Sequence, residues 1–230
     1  MKRRIDFLVL IIFLFPFMAK AQTADEIIQQ VKAKLNKVND YEARGKLKTN
    51  VIFIKAPIAN VKVYYKKPNK LKIHNESGIS FIPKGSVNMS LGSFFANTSD
   101  FDIIDVGKEQ TSGLHIIKLL PREDSADVVL STLYIDEKQM LIKKAKTTTK
   151  ENGTYELEMT YGKYADYGLA DKIIFSFNTK EYKLPKGVTI DYDIDGPKNK
   201  QDQLKNKKGK VETAYSEYII NKGVPDSIFQ

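Results

Sequence analysis

Side chains able to do acid–base, nucleophilic or metal chemistry are few and scattered in this chain. It has two histidines, His74 and His115. Neither stands at a spacing that suits a metal site or a catalytic pair, and His74 falls on the polar side of an alternating segment, where a solvated imidazole is the ordinary occupant. The chain has no Cys, which removes thiol chemistry, thiolate metal sites and disulfides. No serine lies in a Gly-x-Ser-x-Gly elbow or a Ser-x-x-Lys pair, and no glycine-rich phosphate cradle occurs. Asp191, Asp193 and Asp195 alternate and put three carboxylates on one side of an extended segment, a spacing that suits a cation or, more simply, water. Asp124-Ser125-Ala126 is too short to specify a modification. These residues predict a protein that binds rather than catalyses, with no cofactor and no metal.

The elements that would carry a binding site are clearer. Thr23-Ala24-Asp25-Glu26 fits a capping box, in which hydroxyl and carboxylate satisfy each other's orphan amides. Ile27, Ile28, Val31, Leu35 and Val38 follow at helical spacing, and Asn39-Asp40 ends a predicted helix over Ala24–Val38. Beyond it the period changes to two. Leu47, Thr49, Val51 and Phe53 alternate with polar residues, as do Val61, Val63 and Tyr65, then Leu71 and Ile73. The pattern returns in Tyr155–Tyr161, Ile173–Phe177 and Val188–Tyr192, with turns at Lys67-Pro68-Asn69, Glu151-Asn152-Gly153 and Pro185-Lys186-Gly187. Such alternation marks antiparallel strands with one dry and one wet face. About ten to twelve strands are expected, enough to curl into a barrel or split into two sheets.

Two segments interrupt the alternation. After Pro83-Lys84-Gly85, residues Met89, Leu91, Phe94 and Phe95 suggest a short helix across one end of the sheet. Gly196–Lys210, with six lysines and one acid, Asp202, reads as a solvated loop before a last strand over Val211–Ile220. At the start, Lys2, Arg3 and Arg4 precede nine apolar residues, Phe7–Phe15, and then Pro16 and Ala19-Lys20-Ala21. This is the layout of a cleaved signal peptide over residues 1–21; a membrane span needs about 18 residues or more. With no Cys to carry a lipid, residues 22–230 are expected to form one exported, soluble domain, stabilised by packing alone. That domain holds 33 Lys/Arg and 27 Asp/Glu. Export argues against nucleic acid as a partner, and the excess cation suits anionic membrane surfaces. The apolar strand faces fit either a packed barrel core or a curved sheet held open for an apolar ligand.

The order of elements resembles that of the periplasmic lipoprotein carrier LolA and its relatives. The residues that carry the likeness are the helix from Ala24, the strand opened by Tyr41-Glu42-Ala43-Arg44-Gly45-Lys46-Leu47, and Val63-Tyr64-Tyr65-Lys66-Lys67-Pro68-Asn69-Lys70-Leu71-Lys72, which is similar to the family's aromatic, basic-Pro, Leu-Arg signature. Ile116–Pro121, the hairpin Leu133–Asp136 with Leu141-Ile142, Pro185-Lys186-Gly187-Val188 and Gly223-Val224-Pro225-Asp226 complete the order. The resemblance implies a mainly β (α+β) fold: an open, incomplete antiparallel barrel of about 11 strands round an N-terminal helix and a short lid helix. It implies a monomeric periplasmic carrier, a chaperone for acyl chains. Such a carrier takes lipoproteins from an inner-membrane transporter to an outer-membrane acceptor.

In that reading Val51, Phe53, Val63, Tyr65, Leu71, Ile73, Phe175 and Phe177 line a lipid cavity, and Leu91, Phe94 and Phe95 form its lid. Lys72 stands where the family has an Arg that latches the lid, and its ammonium lacks that planar fork. A lipid sensor of the same fold, or a non-catalytic structural domain, are the competing readings.

Overall fold

The computed structural model describes residues 22–50, 58–77, 100–124, 126–151, 153–178 and 208–230. One helix, α1 (Ala24–Leu35), precedes strands β1 (Asp40–Asn50), β2 (Ala59–Lys66), β3 (Lys70–Ser77), β4 (Phe101–Lys108) and β5 (His115–Pro121). Strands β6 (Val128–Asp136), β7 (Leu141–Thr149), β8 (Gly153–Thr160), β9 (Lys172–Asn178) and β10 (Lys208–Ile220) follow. The strands form one antiparallel sheet in the order β3-β2-β1-β10-β9-β8-β7-β6-β5-β4. Among the described residues its edges, β3 and β4, do not pair, so the barrel is open.

The sheet wraps round its helix. Val61 of β2 and Ile117 of β5 stand seven strands apart in the sheet order, roughly 34 Å on a flat sheet, yet they belong to one contiguous core. The link is α1, whose Ala24, Ile27, Ile28 and Val31 are buried in that core. The capping box is made: Glu26 N–H donates to Thr23 Oγ1 at 3.2 Å and Thr23 N–H donates to Glu26 Oε2 at 3.0 Å.

The described residues hold ten strands, where about eleven were expected of the whole chain, and two boundaries differ. The helix stops at Leu35, where the Asn36 N–H turns back to Lys32 O at 2.8 Å and the Lys37 N–H to Lys34 O at 3.1 Å. Val38 keeps the helical period only because the link that carries it is also packed into the interior, leaving it 2% exposed. Strand β10 starts at Lys208, before the expected Val211. Lys208, Gly209 and Lys210 pair with Asn178, Phe177 and Ser176, through backbone bonds that ask nothing of the side chains. The expected lid helix, the Val188–Tyr192 strand, the Asp191–Asp195 carboxylates and the signal segment lie outside the described residues.

Candidate functional site: an uncharged cleft

Strand alternation delivers a row of apolar side chains to the inner face. Leu47 of β1, Val63 and Tyr65 of β2, Leu71 and Ile73 of β3, Ile173 and Phe175 of β9, and Val211, Thr213 and Tyr215 of β10 line one cleft. Leu157 and Met159 of β8 close it on one side, and Leu35, Val38 and the Tyr167–Ala170 turn close it on the other. Helix α1 fills the neighbouring half of the inner face, where Val31 and Leu35 meet Met140, Leu141, Ile142 and Tyr161. Among the described residues the sheet is thus wider than its helix, and the cleft is the part that the helix leaves uncovered. Its volume is about 140 Å³, close to that of a dry protein cavity able to hold benzene.

None of the described lining residues carries a charge. The polar side-chain atoms are phenols and one hydroxyl. Burial pushes the Tyr215 pKa up to about 12, and burial first, then the neighbouring Tyr215 and Tyr65, raises that of Tyr41. At one end the phenol rings pack on each other. Tyr41 stacks on Tyr65 at 5.2 Å and meets Tyr218 edge-on at 5.3 Å, and Tyr215 lies 5.0 Å from Tyr218. Tyr218 donates its hydroxyl to Ala170 O at 2.7 Å, which ties β10 to the turn under the cleft. At the other end Phe175 stacks against Phe177 at 5.3 Å.

Of the residues expected to line a cavity, Val63, Tyr65, Leu71, Ile73 and Phe175 meet in this cleft. Phe177 is buried beside Phe175 and over Gly209, where its ring occupies the space of a missing Cβ. Val51, Phe53 and the lid residues Leu91, Phe94 and Phe95 lie outside the described residues. Lys72 Nζ donates to Gln230 O at 3.0 Å, on the C-terminal turn. Sequence reasoning missed the tyrosines at 41, 215 and 218: Tyr41 keeps the phase of Leu47 but precedes the stretch read as alternating, and Tyr215 and Tyr218 break period two. Opposite the Arg44/Gly45 step the β10 partner jumps from Glu217 to Tyr215, so a bulge turns both rings inward. Gly45 is the one visible signal: a Cβ there would lie 2.7 Å from Ala214 O.

His115 was not singled out, yet it is 6% exposed and held on both ring nitrogens. Nδ1 lies 2.5 Å from Glu137 Oε1 and Nε2 lies 2.7 Å from Asp105 Oδ1, while Lys108 Nζ sits 2.5 Å from Glu137 Oε2. Burial pushes the imidazole pKa down, but the bonds to Glu137 and Asp105 outweigh it and the net shift is upward. A carboxylate thus faces each ring nitrogen, the arrangement that favours the doubly protonated imidazole. This cluster clamps the β4, β5 and β6 ends together. Among the described residues no group of three His, Asp or Glu converges on a metal position, and no helix is long and apolar enough to cross a membrane.

No family model matches the sequence, and no curated protein sequence matches it. Solved structures do match the fold. A LolA superfamily protein from Nitrosomonas europaea superposes with a TM-score of 0.56 at 12% identity, covering 91% of this chain and 98% of that one. A DUF1329 family protein from Desulfovibrio piger superposes with a TM-score of 0.53 at 10% identity, covering 90% of this chain and 95% of the other. The chain therefore has a LolA-like fold.

Proposed function

We propose that this protein is an exported carrier that shelters acyl chains of lipoproteins in the cleft and sorts them towards an outer membrane. The observation that carries the reading is the absence of charge from the described cleft lining, in a sheet wider than the helix it wraps. Each methylene held out of water is worth about 0.8 kcal/mol, so several long chains would cost tens of kcal/mol to move unprotected. A carrier needs burial comparable to that in a membrane and easy release, and no catalytic group.

The 140 Å³ cleft takes a short section of one chain. In this reading Leu91, Phe94 and Phe95 cover the rest, residues 1–21 are removed on export, and Lys72 takes the position of a lid latch. An inner-membrane transporter would load the protein and an outer-membrane acceptor would unload it.

The test is lipid extraction and mass spectrometry of protein purified from cells, alongside uptake of a fluorescent acyl probe. Co-purified acyl chains and saturable uptake are expected. Finding neither overturns the reading. Release of lipoproteins from membranes by the purified protein separates a carrier from a lipid sensor, which would bind acyl chains without releasing cargo.

A further inference from the structure

Charge divides unevenly over the sheet. Residues 100–171, which supply β4–β8, contain 14 Asp/Glu and 9 Lys/Arg; the other described residues contain 8 Asp/Glu and 15 Lys/Arg. The sheet order keeps β3, β2, β1, β10 and β9 contiguous, so the division is spatial, and the strands that supply most of the cleft form the basic half.

The positive charge gathers further at the tyrosine end of the cleft. Lys67 Nζ donates to Asn36 O at 2.9 Å, and Asn221 Nδ2 donates to Lys37 O at 2.7 Å. Lys66 and Lys70 grip Asp226 at 2.9 and 2.7 Å. These contacts bring Lys37, Lys66, Lys67, Lys70, Lys72 and Lys222 round one end of the sheet, with Asp40, Asp166 and Asp226 among them. The apolar cleft reaches the surface there, because the lining residue Tyr167 is 39% exposed and Leu35 and Leu71 are half-buried.

We propose that this lysine rim is a docking face for an anionic lipid bilayer, seating the tyrosine end of the cleft against the headgroups. The inference rests on the acyl-chain reading of the cleft. A bilayer fits better than an acidic protein segment because the cations are lysines spread over strand ends, a linker and a turn, and define no groove. Five of the six ammonium groups rest on a backbone carbonyl or on Asp226 and keep their charge, and such point charges, set side by side, match a smeared sheet of phosphate charge. The acidic half would be repelled by the same surface and would orient the approach, an effect that fades beyond a Debye length of about 8 Å at physiological salt.

The test uses residues 22–230 in flotation with vesicles of phosphatidylcholine alone and with about a third phosphatidylglycerol. Binding is expected only to the anionic vesicles, with loss in high salt. A lysine near such a surface contributes about fivefold in affinity. The triple variant Lys37→Gln/Lys70→Gln/Lys222→Gln should therefore bind about a hundredfold more weakly. The control Lys118→Gln/Lys146→Gln/Lys150→Gln removes equal charge from the acidic half and should stay within a few-fold of wild type. Equal losses in both variants, equal binding to neutral vesicles, or no binding by the wild type would each overturn the docking face. Melting curves establish that both variants fold; if the rim variant does not, Lys222→Gln alone with the salt titration decides. Uptake of an acyl probe in vesicle-free solution is measured in parallel. Its presence without docking sinks only the rim, and its absence sinks the cleft reading itself.

Discussion

Filling the cleft should weaken acyl binding by an amount that the geometry sets. Thr213 lies in mid-strand on β10, paired with Leu47 on one side and Ile173 on the other, and its side chain lines the cleft. Thr213→Phe exchanges a hydroxyl and a methyl for a six-carbon ring, a net gain of four heavy atoms. In a cleft of about 140 Å³, that takes the room of about four methylenes. At about 0.8 kcal/mol each, the loss is about 3 kcal/mol, or about 200-fold in affinity. Displacement of a fluorescent fatty acid measures it, with circular dichroism and Tm as checks on folding. The ring enters space that is already present, so Tm should hold or rise; overpacking of a filled core would instead cost about 1–3 kcal/mol. A folded variant that binds as tightly as wild type would falsify the assignment of the cleft as the acyl site. A marked loss of Tm would show that the cleft is packed.

The His115 clamp gives a pH dependence. The imidazole pKa is raised above its ordinary 6.5, so its contribution is complete below about 6.5 and is lost as pH rises through the folded value. The Lys108 bond to Glu137 and the His115 bond to Asp105 lower those carboxyl pKa values, so their contribution is lost as pH falls below the ordinary carboxylate range. Wild type should therefore exceed His115→Gln in Tm by the largest margin between about pH 5 and 6.5, and the margin should shrink towards pH 9; a margin that does not change with pH would refute the clamp. Ile28 is 0% exposed, and Ile28→Ala should cost about 3 kcal/mol, seen as a Tm drop of roughly 6–12 °C. Gly168 has φ +66 and faces Leu35 Cδ2, 2.9 Å from the position of a Cβ. Gly168→Ala should cost about 1 kcal/mol in urea denaturation, and a gain in stability would show that the turn relaxes. Lys72 makes a half-exposed bond to a backbone carbonyl, so Lys72→Ala should change Tm by no more than a degree or two, with any larger effect confined to acyl release rates.

Much of the fold was legible because alternation and capping are local. Thr23 to Val31 announce a capped amphipathic helix, and Val61-Lys62-Val63-Tyr64-Tyr65 announces a strand with one dry face, whatever those residues later meet. Five of the expected lining residues lie in the cleft for that reason: period two decides the face of a side chain before pairing does. The misjudged boundaries share a cause. Apolar spacing reports burial, so Val38 passed for helix and the lysines at 208 and 210 passed for loop, while hydrogen bonding decided both.

What local pattern could not supply is partnership. Strand β1 pairs with β10, some 170 residues away, and that pairing alone sets Leu47 beside Thr213 and Tyr41 beside Tyr218. One extra residue in β10 then turns Tyr215 and Tyr218 to the same side, a step that reverses every face prediction beyond it. Likewise Asp105 lies within β4, His115 opens β5 and Glu137 follows β6, and the three have no common spacing. The sequence by itself determined that this chain builds a helix and antiparallel strands with an uncharged inner face. Only the tertiary structure decided that α1 covers half of that face and leaves the other half as a cleft, because the width of a sheet and the reach of a helix depend on which distant strands join.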